Sequence, residues 1–259
     1  MNDISHIGFI CIIIALVIYI VFFMKKTNKI IPVEKKIIVG KDWLNHIFEE
    51  IQIITIPSRI QNVKNFCKSM EINTRIFPAI LKKDISYNNV YNLKRGEIAC
   101  ALSQEKVLQN FVDSGKQSLI MFEDDIMNID SKKYKQSNIT LDNIKNYVNK
   151  VNEYVPMDWD VIYLGRCWDM CGKHIPINKY IVKVHRTLCH HAIAFSREGA
   201  IKILANIKHP ISMPIDHVVS NLCQKGDITC YASIVPVFYQ NREELKTSIG
   251  NFDKLPTCA

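Results

Sequence analysis

Short apolar strands alternate with amphipathic helices along most of this chain, and this alternation limits the possible folds more than any other feature. The segments "IQIITI" (51–56), "SLIMF" (118–122) and "WDVIYLG" (159–165) are rich in β-branched, aromatic or other apolar residues, which is typical of buried strands. Residues 95–115 and 141–155 place apolar side chains three or four positions apart, which predicts helices. Such alternation predicts an α/β fold, with helices on the faces of a sheet.

The other elements follow the same alternation. Ser196 precedes a helical pattern and can cap it, and Gly115 and Gly226 can each end a helix. The sequence predicts further helices over 58–70, 197–207 and 214–226, and further strands over 74–80, 191–196 and 228–240.

The N-terminal region carries a long uncharged segment. Residues 7–24 contain no charged side chain, and a helix needs about 20 apolar residues to span a bilayer. The leader, residues 1–6, contains no Lys or Arg, and no small-residue cleavage site follows, so a cleaved signal peptide fits less well. We predict a single-pass anchor at 7–24 that lies in the lipid bilayer, a stem over 25–50 and a globular domain over 51–259.

Two features bear on the orientation of this anchor. Lys25, Lys26 and Lys29 follow the span directly, so the positive-inside rule predicts a cytosolic globular domain. The lumenal (type II) orientation is the alternative, and the sequon "NIT" (138–140) can carry a glycan only in that case.

The cysteines favour reduced thiols, because several of the nine lie in apolar periodic segments, where a free cysteine behaves as a small hydrophobe. An oxidising lumen would permit disulfides instead. The segments "CWDMC" (167–171) and "CHH" (189–191) do not have a standard zinc-site spacing.

The charge pattern gives no sign of a nucleic-acid partner. The formal net charge is +8, but no block of Lys and Arg is long enough to form a nucleic-acid-binding arm. The excess indicates a mildly basic, solvated surface, which would also suit acidic substrates or anionic lipid.

Three acidic residues stand directly after the apolar strand in "SLIMFEDDI" (118–126). In α/β sheets, ligands lie beyond the carboxyl ends of the strands. If the strand continues, Glu123 and Asp125 point to the same side. Two close carboxylates repel each other, and a divalent cation such as Mg²⁺ or Mn²⁺, together with a bound diphosphate, would relieve that repulsion. A solvated acidic loop is the equally simple alternative.

Several segments occur in an order that is specific as a set: "IITIPSR" (53–59), "FPAI" (77–80), "GEIACALSQEKVLQ" (96–109), "LIMFEDDI" (119–126), "WDVIYLG" (159–165), "HAIAFSREGAIKIL" (191–204) and "PIDHVVSNL" (214–222). In these segments the chain resembles glycosyltransferase family 25, which includes bacterial lipooligosaccharide galactosyltransferases and procollagen galactosyltransferases. The resemblance covers roughly residues 51–250.

The resemblance implies a GT-A-like fold, a Rossmann-like mixed sheet flanked by helices that binds a nucleotide sugar. It implies inverting transfer of a hexose, galactose or glucose, from a UDP-sugar to a hydroxyl of a glycan, glycolipid or protein. Asp125 would bind Mn²⁺ or Mg²⁺ on the donor diphosphate. Glu123 would contact the nucleotide or assist the metal, Asp124 would support the loop, and His191 could reach the metal or a phosphate.

Asp216 is the candidate base that takes the proton of the acceptor hydroxyl, although an acid before an apolar helical pattern also fits a helix N-cap. Other candidates for the donor site follow strand ends or begin the long helix; they are Thr55, Arg59, Gly96, Glu97, Ser103, Gly165, Arg166 and Gln240. Simpler roles exist for some of them, because Glu97 also suits the helix dipole and Arg59 also suits an exposed surface.

Four positions depart from the family pattern. Thr55, Asn62, Ala99 and Gln104 stand where the family often has Asn, Arg, Gly and His. These departures leave the sugar open and keep an inactive, glycan- or partner-binding relative as an alternative function. A metal-dependent phosphoesterase using the same carboxylates is a third possibility.

Overall fold

The structure is a computed structural model that describes residues 35–37, 42–85, 91–129, 140–242 and 244–245. These residues belong to one compact unit, Glu34–Ala259. The strands are β1 (Lys35–Ile37), β2 (Glu50–Thr55), β3 (Thr74–Pro78), β4 (Ser118–Glu123), β5 (Ile126–Asn128), β6 (Val161–Cys167), β7 (Ile175–Pro176), β8 (Ile181–Lys183), β9 (Leu188–Ser196), β10 (Cys230–Ser233) and β11 (Phe238–Gln240). The α-helices are α1 (Ile60–Met70), α2 (Arg95–Asp113), α3 (Leu141–Tyr154), α4 (Arg197–Leu204) and α5 (Ile215–Lys225).

Nine of the described strands form one mixed sheet in the order β1-β3-β2-β4-β9-β6-β10-β8-β7. β3, β2 and β4 are parallel neighbours, and β9 runs antiparallel to both β4 and β6. The predicted α/β fold, a mixed sheet flanked by helices, is therefore confirmed.

Helices cover both faces of this sheet. α2, α4 and α5 pack on the face that holds Leu119 and Met121 of β4, while α1 and α3 pack on the face that holds Ile120 and Phe122. This division follows from the two-residue period of a strand, which turns consecutive side chains to opposite faces. The apolar stretch 118–122 is buried on both sides, and this explains its nearly continuous hydrophobicity.

Most predicted elements are confirmed to within a few residues. Ser196 caps α4 by accepting a hydrogen bond from the Gly199 N–H, and Gly226 ends α5 in the left-handed conformation at φ 81°. The predicted strand 228–240 is wrong as one strand. It is divided into β10 and β11, which belong to different sheets, and Pro236 between them has no N–H for a ladder.

Part of the segment predicted as a stem contributes to this unit. β1 pairs antiparallel with β3, and Leu44 and Phe48 are buried in the core. The predicted anchor, residues 7–24, lies outside the described residues. Within the part of the chain that the structure describes, no helix is long and apolar enough to cross a bilayer.

A small second sheet fixes the last strand beside the acidic residues. β11 pairs antiparallel with β5, which begins directly after Asp125. Phe238 of β11 packs edge-on against Phe122 and Phe66, with ring centroids 5.2 Å and 6.0 Å away. Such aromatic pairs each contribute about 0.5–1.5 kcal/mol beyond the burial of their area. β11 is therefore held firmly at the carboxyl end of β4.

Candidate functional site

The loops that carry the candidate residues gather at one edge of the sheet. β2, β3 and β4 are parallel, so their carboxyl ends at Thr55, Pro78 and Glu123 meet at this edge. β9 is antiparallel to β4, and it therefore brings its first residues, His190 and His191 among them, to the same place.

Two adjoining cavities open at this edge. The first, about 450 Å³, lies between the loops after β2 and β3, the acidic turn and α2. The second, about 380 Å³, lies toward the loop after β6, the start of β9 and the start of α5. Both cavities are lined by a set of side chains that we call the shared wall; it consists of Cys100, Gln104, Glu123, Gln240 and Arg242.

Asp124 organises the acidic turn. β4 ends at Glu123, and Asp124 and Asp125 form a turn before β5. One oxygen of Asp124 accepts a hydrogen bond from Arg59 Nη1 at 2.7 Å, and the other accepts from the Ile56 N–H at 2.8 Å. Asn62 donates to the Asp124 carbonyl at 2.7 Å. Asp124 thus joins the acidic turn to the loop after β2.

Glu123 and Asp125 converge on one atom even though the strand ends between them. Gln240 Nε2 lies 3.1 Å from Glu123 Oε2 and 3.4 Å from each Asp125 oxygen. Burial raises the pKa of Glu123 well above its usual value, and the neighbouring Asp125 and Asp216 raise it further. Burial and then Asp124 likewise raise the pKa of Asp125, against the opposing effect of Arg59. The positive charge around the two carboxylates is therefore too small to balance their negative charge.

This donor set fits a hard divalent cation. Mg²⁺ typically takes one or two carboxylates and completes its shell with water and substrate phosphates. Glu123 and Asp125 supply two carboxylates at one point on the first cavity. Within the described ranges, no group of three or more His, Cys, Asp or Glu side chains is arranged to hold a metal. Water and substrate phosphates would complete the shell of a cation held by these two carboxylates.

Most of the predicted site residues line one or both of the cavities. Asp124, Asp125, Arg59, Gly96 and Ser103 line the first cavity, Glu97 and Asp216 line the second, and Glu123 and Gln240 line both. Thr55, Gly165, Arg166 and His191 line neither.

Residues outside both cavities have clear structural contacts. Thr55 is buried and donates from its hydroxyl to the Ile56 carbonyl at 3.0 Å. Arg166 is buried, where it pairs with Asp169 at 2.9 Å and donates to the Ser233 carbonyl at 2.6 Å. His191 Nε2 lies 3.2 Å from the Phe238 carbonyl oxygen, and burial lowers the pKa of this histidine to about 3. The histidine is therefore neutral at pH 7.

Asp216 is not the N-cap of α5, because that position is Pro214. Its carboxylate instead accepts hydrogen bonds from the Cys189 N–H at 3.2 Å and the His217 N–H at 3.0 Å. These two bonds hold the side chain at the surface of the second cavity. The N-cap interpretation is therefore wrong, and the position of the carboxylate at the second cavity is compatible with a role in the site.

A disulfide joins two of the elements beside the second cavity. Cys167 at the end of β6 is bonded to Cys189 at the start of β9, with their Cα atoms 5.5 Å apart. The expectation of reduced thiols is wrong for this pair, and neither sulfur is left to bind zinc. Cys67, Cys100, Cys223 and Cys230 are free thiols, as predicted.

Comparison with known proteins identifies the family. The family model described as "Glycosyltransferase family 25 (LPS biosynthesis protein)" matches residues 40–219. The chain belongs to glycosyltransferase family 25. The matched part includes the acidic turn and Asp216, whereas Gln240 and Arg242 of the shared wall lie beyond it.

Two curated relatives illustrate the similarity. Procollagen galactosyltransferase 1 of Danio rerio is 26% identical over 213 residues, covering 73% of this chain and 34% of the relative. The probable inactive glycosyltransferase 25 family member 3 of Rattus norvegicus is 24% identical over 194 residues, covering 65% and 32%. The chain thus spans about a third of the length of these relatives.

One solved structure was also compared. The crystal structure of A197 from STIV aligns with a TM-score of 0.37 and 14% identity, covering 79% of this chain and 98% of that one. A likeness at this level carries no argument about family 25 chemistry.

Two polar residues of the site, Gln104 and Arg242, were not predicted from the sequence as site residues. Gln104, noted only as a departure from the family 25 pattern, donates to Glu123 Oε1 at 3.1 Å and accepts from His190 Nδ1 at 2.8 Å. Arg242 Nε donates to Gln240 Oε1 at 3.0 Å, and its charge lowers the pKa of both Glu123 and Asp125. No local pattern marks Arg242, because its position depends on the pairing of β11 with β5.

Proposed function

We propose that this chain is a membrane-anchored, divalent-metal-dependent, inverting glycosyltransferase with a GT-A-like fold. It transfers a hexose, galactose or glucose, from a UDP-sugar to a hydroxyl of a glycan, glycolipid or protein. The observation that carries this proposal is the pair of cavities separated by the shared wall, with Asp125 in the first cavity, Asp216 in the second and Glu123 in the wall between them. Membership of family 25 supports the reaction class.

The first cavity suits the donor. Arg59, Lys82 and Lys83 line it together with the apolar side chains of Ile54 and Ile56. A nucleoside diphosphate needs both a cationic and an apolar environment, for its phosphates and its base respectively. Mn²⁺ or Mg²⁺ held by Glu123 and Asp125 would supply Lewis-acid stabilisation of the negative charge on the departing diphosphate.

The second cavity suits the acceptor. Asp216 accepts the proton of the acceptor hydroxyl while the hydroxyl oxygen bonds to the anomeric carbon. The bond between that carbon and the diphosphate breaks at the same time, and UDP leaves into the first cavity. The two backbone N–H groups that bind Asp216 fix its carboxylate in place for this task.

The test uses the full chain in detergent micelles with Mn²⁺, a panel of nucleotide sugars and a mixture of candidate acceptors. We expect UDP release from a UDP-hexose that requires both the acceptor and the metal and stops on addition of a chelator. Asp216→Asn should lower kcat by about 10²–10⁴-fold, since a positioned base contributes that much, while the Kd for UDP stays unchanged. Asp227→Asn, an exposed acid just after α5, serves as the matched control.

Other results would contradict the proposal. Tight glycan binding without UDP release from any donor would indicate a silent binding domain, and one relative is named as probably inactive. Release of inorganic phosphate or cleavage of a diester would indicate a phosphoesterase.

For the orientation, we propose a lumenal domain behind an anchor at residues 7–24. The disulfide between Cys167 and Cys189 supports this alternative over the cytosolic prediction, because disulfides persist in oxidising compartments. We expect glycosylation at Asn138, which lies outside the described residues, in eukaryotic microsomes. A gel-mobility shift that a glycosidase removes, and that Asn138→Gln abolishes, checks it. Full digestion of the domain by protease added outside sealed microsomes would contradict it.

A further inference from the structure

The second cavity has an aromatic side chain that no step above uses. Trp168 lines it and is 51% exposed, which is unusual for so large an apolar residue. The other tryptophans, Trp43 and Trp159, are less exposed and pack against the core.

The chain holds Trp168 outward at an energetic cost. Its backbone is left-handed, at φ 52°, a conformation that is uncommon and strained for a bulky residue and that concentrates at functional sites. Both neighbours are anchored, Cys167 through the disulfide and Asp169 through its buried ion pair with Arg166. The residues on both sides of Trp168 are thus held in place, and this positions the indole at the second cavity.

The groups around the indole are polar and carry both signs of charge. Glu97, Arg186, Asp216 and His217 line the same cavity. A nucleotide phosphate would meet Glu97, Glu123 and Asp216 here, which is unfavourable. A purely apolar ligand would leave these charged groups without partners.

A pyranose sugar matches both parts of this cavity. The C–H groups on one face of the ring can stack on the electron-rich face of an indole. Its hydroxyls can donate to carboxylates and accept from Arg186 or His217. The volume of about 380 Å³ is at the low end of the range of about 300–1,000 Å³ for small-ligand sites, which suits one or two sugar units.

The geometry points to Trp168 as the stacking platform for the terminal pyranose of a saccharide acceptor, whose hydroxyl is thereby held next to Asp216. This inference rests on the proposed function and narrows the acceptor from any hydroxyl to one on a saccharide. Trp168 is then a residue that determines acceptor specificity.

The test measures binding and turnover separately, using the full chain in detergent with Mn²⁺ and UDP. The probes are methyl glycosides and disaccharides of galactose, glucose and N-acetylglucosamine. We expect one of them to change the tryptophan fluorescence in a saturable way, and Trp168→Phe to remove that change. Trp168→Ala should raise the acceptor KM by about tenfold or more, because it removes the stacking surface, while kcat and the Kd for UDP change less than twofold.

Trp168→Phe should recover most of the lost acceptor affinity, because a smaller ring still stacks. Tyr154→Ala is the control, since Tyr154 is a 46% exposed aromatic that lines neither cavity. An unchanged acceptor KM in Trp168→Ala, or an equal loss of UDP affinity, would overturn the inference.

The binding arm separates this inference from the proposed function. If no donor is turned over but a saccharide still binds through Trp168, the proposed transfer fails and the saccharide site stands. If UDP-sugar is turned over but no saccharide in the panel binds or depends on Trp168, the inference fails alone.

Discussion

Asp125→Asn is expected to lower UDP-hexose turnover by about 10³-fold, an effect of the same order as that of Asp216→Asn. The asparagine keeps the shape of the side chain but removes one of the two carboxylates that converge on Gln240 Nε2. Loss of metal-assisted stabilisation of the leaving group costs several kcal/mol, and each 1.36 kcal/mol corresponds to about tenfold in rate. Steady-state UDP release at saturating Mn²⁺ measures the effect.

The same substitution should leave the metal-free protein as stable as before or more stable. Burial and the neighbouring Asp124 raise the pKa of Asp125, so its ionised form costs folding free energy at neutral pH. The neutral amide removes that cost and the repulsion from Glu123. Thermal unfolding with a chelator present checks the sign, and an unchanged or higher Tm is expected.

Asp142→Asn is the matched control, because its side chain is 86% exposed on α3 and lines neither cavity. It should change neither turnover nor Tm. Should Asp125→Asn retain more than a tenth of the wild-type rate, the assignment of Asp125 to the metal would be wrong. A marked fall in Tm would instead show that the carboxylate is needed for the fold.

Gly165→Ala is expected to produce the largest loss of stability among single-methyl changes at the site. A Cβ at this position would lie 2.5 Å from His191 Nε2 and 2.6 Å from the Phe238 carbonyl oxygen, so one of these neighbours must move. Overpacking of this kind typically costs about 1–3 kcal/mol, and a domain of this size loses about 2–4 °C in Tm per kcal/mol. Calorimetry or circular dichroism measures the shift.

Gly165→Ala should lower turnover by more than its loss of folding stability alone would explain. Movement of either neighbour disturbs β11, because His191 is hydrogen-bonded to the Phe238 carbonyl, and the same strand carries Gln240 of the shared wall, with Arg242 two residues later. Gly172→Ala is the control, because a Cβ there meets nothing within 4 Å. Equal Tm values for the two alanine variants would show that the contact between Gly165 and β11 is not as the structure has it.

The sequence sufficed for features that depend on neighbours along the chain. The strand 118–122 was predictable because burial on both faces requires a continuous apolar run, and the end of α5 because Gly226 tolerates a left-handed backbone. The position of the acidic turn followed from the rule that ligands lie beyond strand ends. These inferences need no knowledge of distant residues.

Features that depend on long-range pairing could not be obtained in the same way. Arg242 reaches the site only because β11 pairs with β5, far earlier in the chain. The partner of Cys167 could not be chosen among nine cysteines without the pairing of β6 with β9. Arg166 lies near the carboxyl end of β6 at this edge, yet buried carbonyls and Asp169 hold its guanidinium away from both cavities.

The shared wall has an evolutionary consequence. Within it, the Glu123 side chain accepts hydrogen bonds from Gln104 and Gln240, while the backbone of these three residues belongs to β4, α2 and β11. On the proposed function, replacements in the Trp168 loop would change the acceptor without disturbing the first cavity, so that diversification would proceed by small, separable steps. Lineages that keep one sugar donor would thereby be free to decorate different molecules.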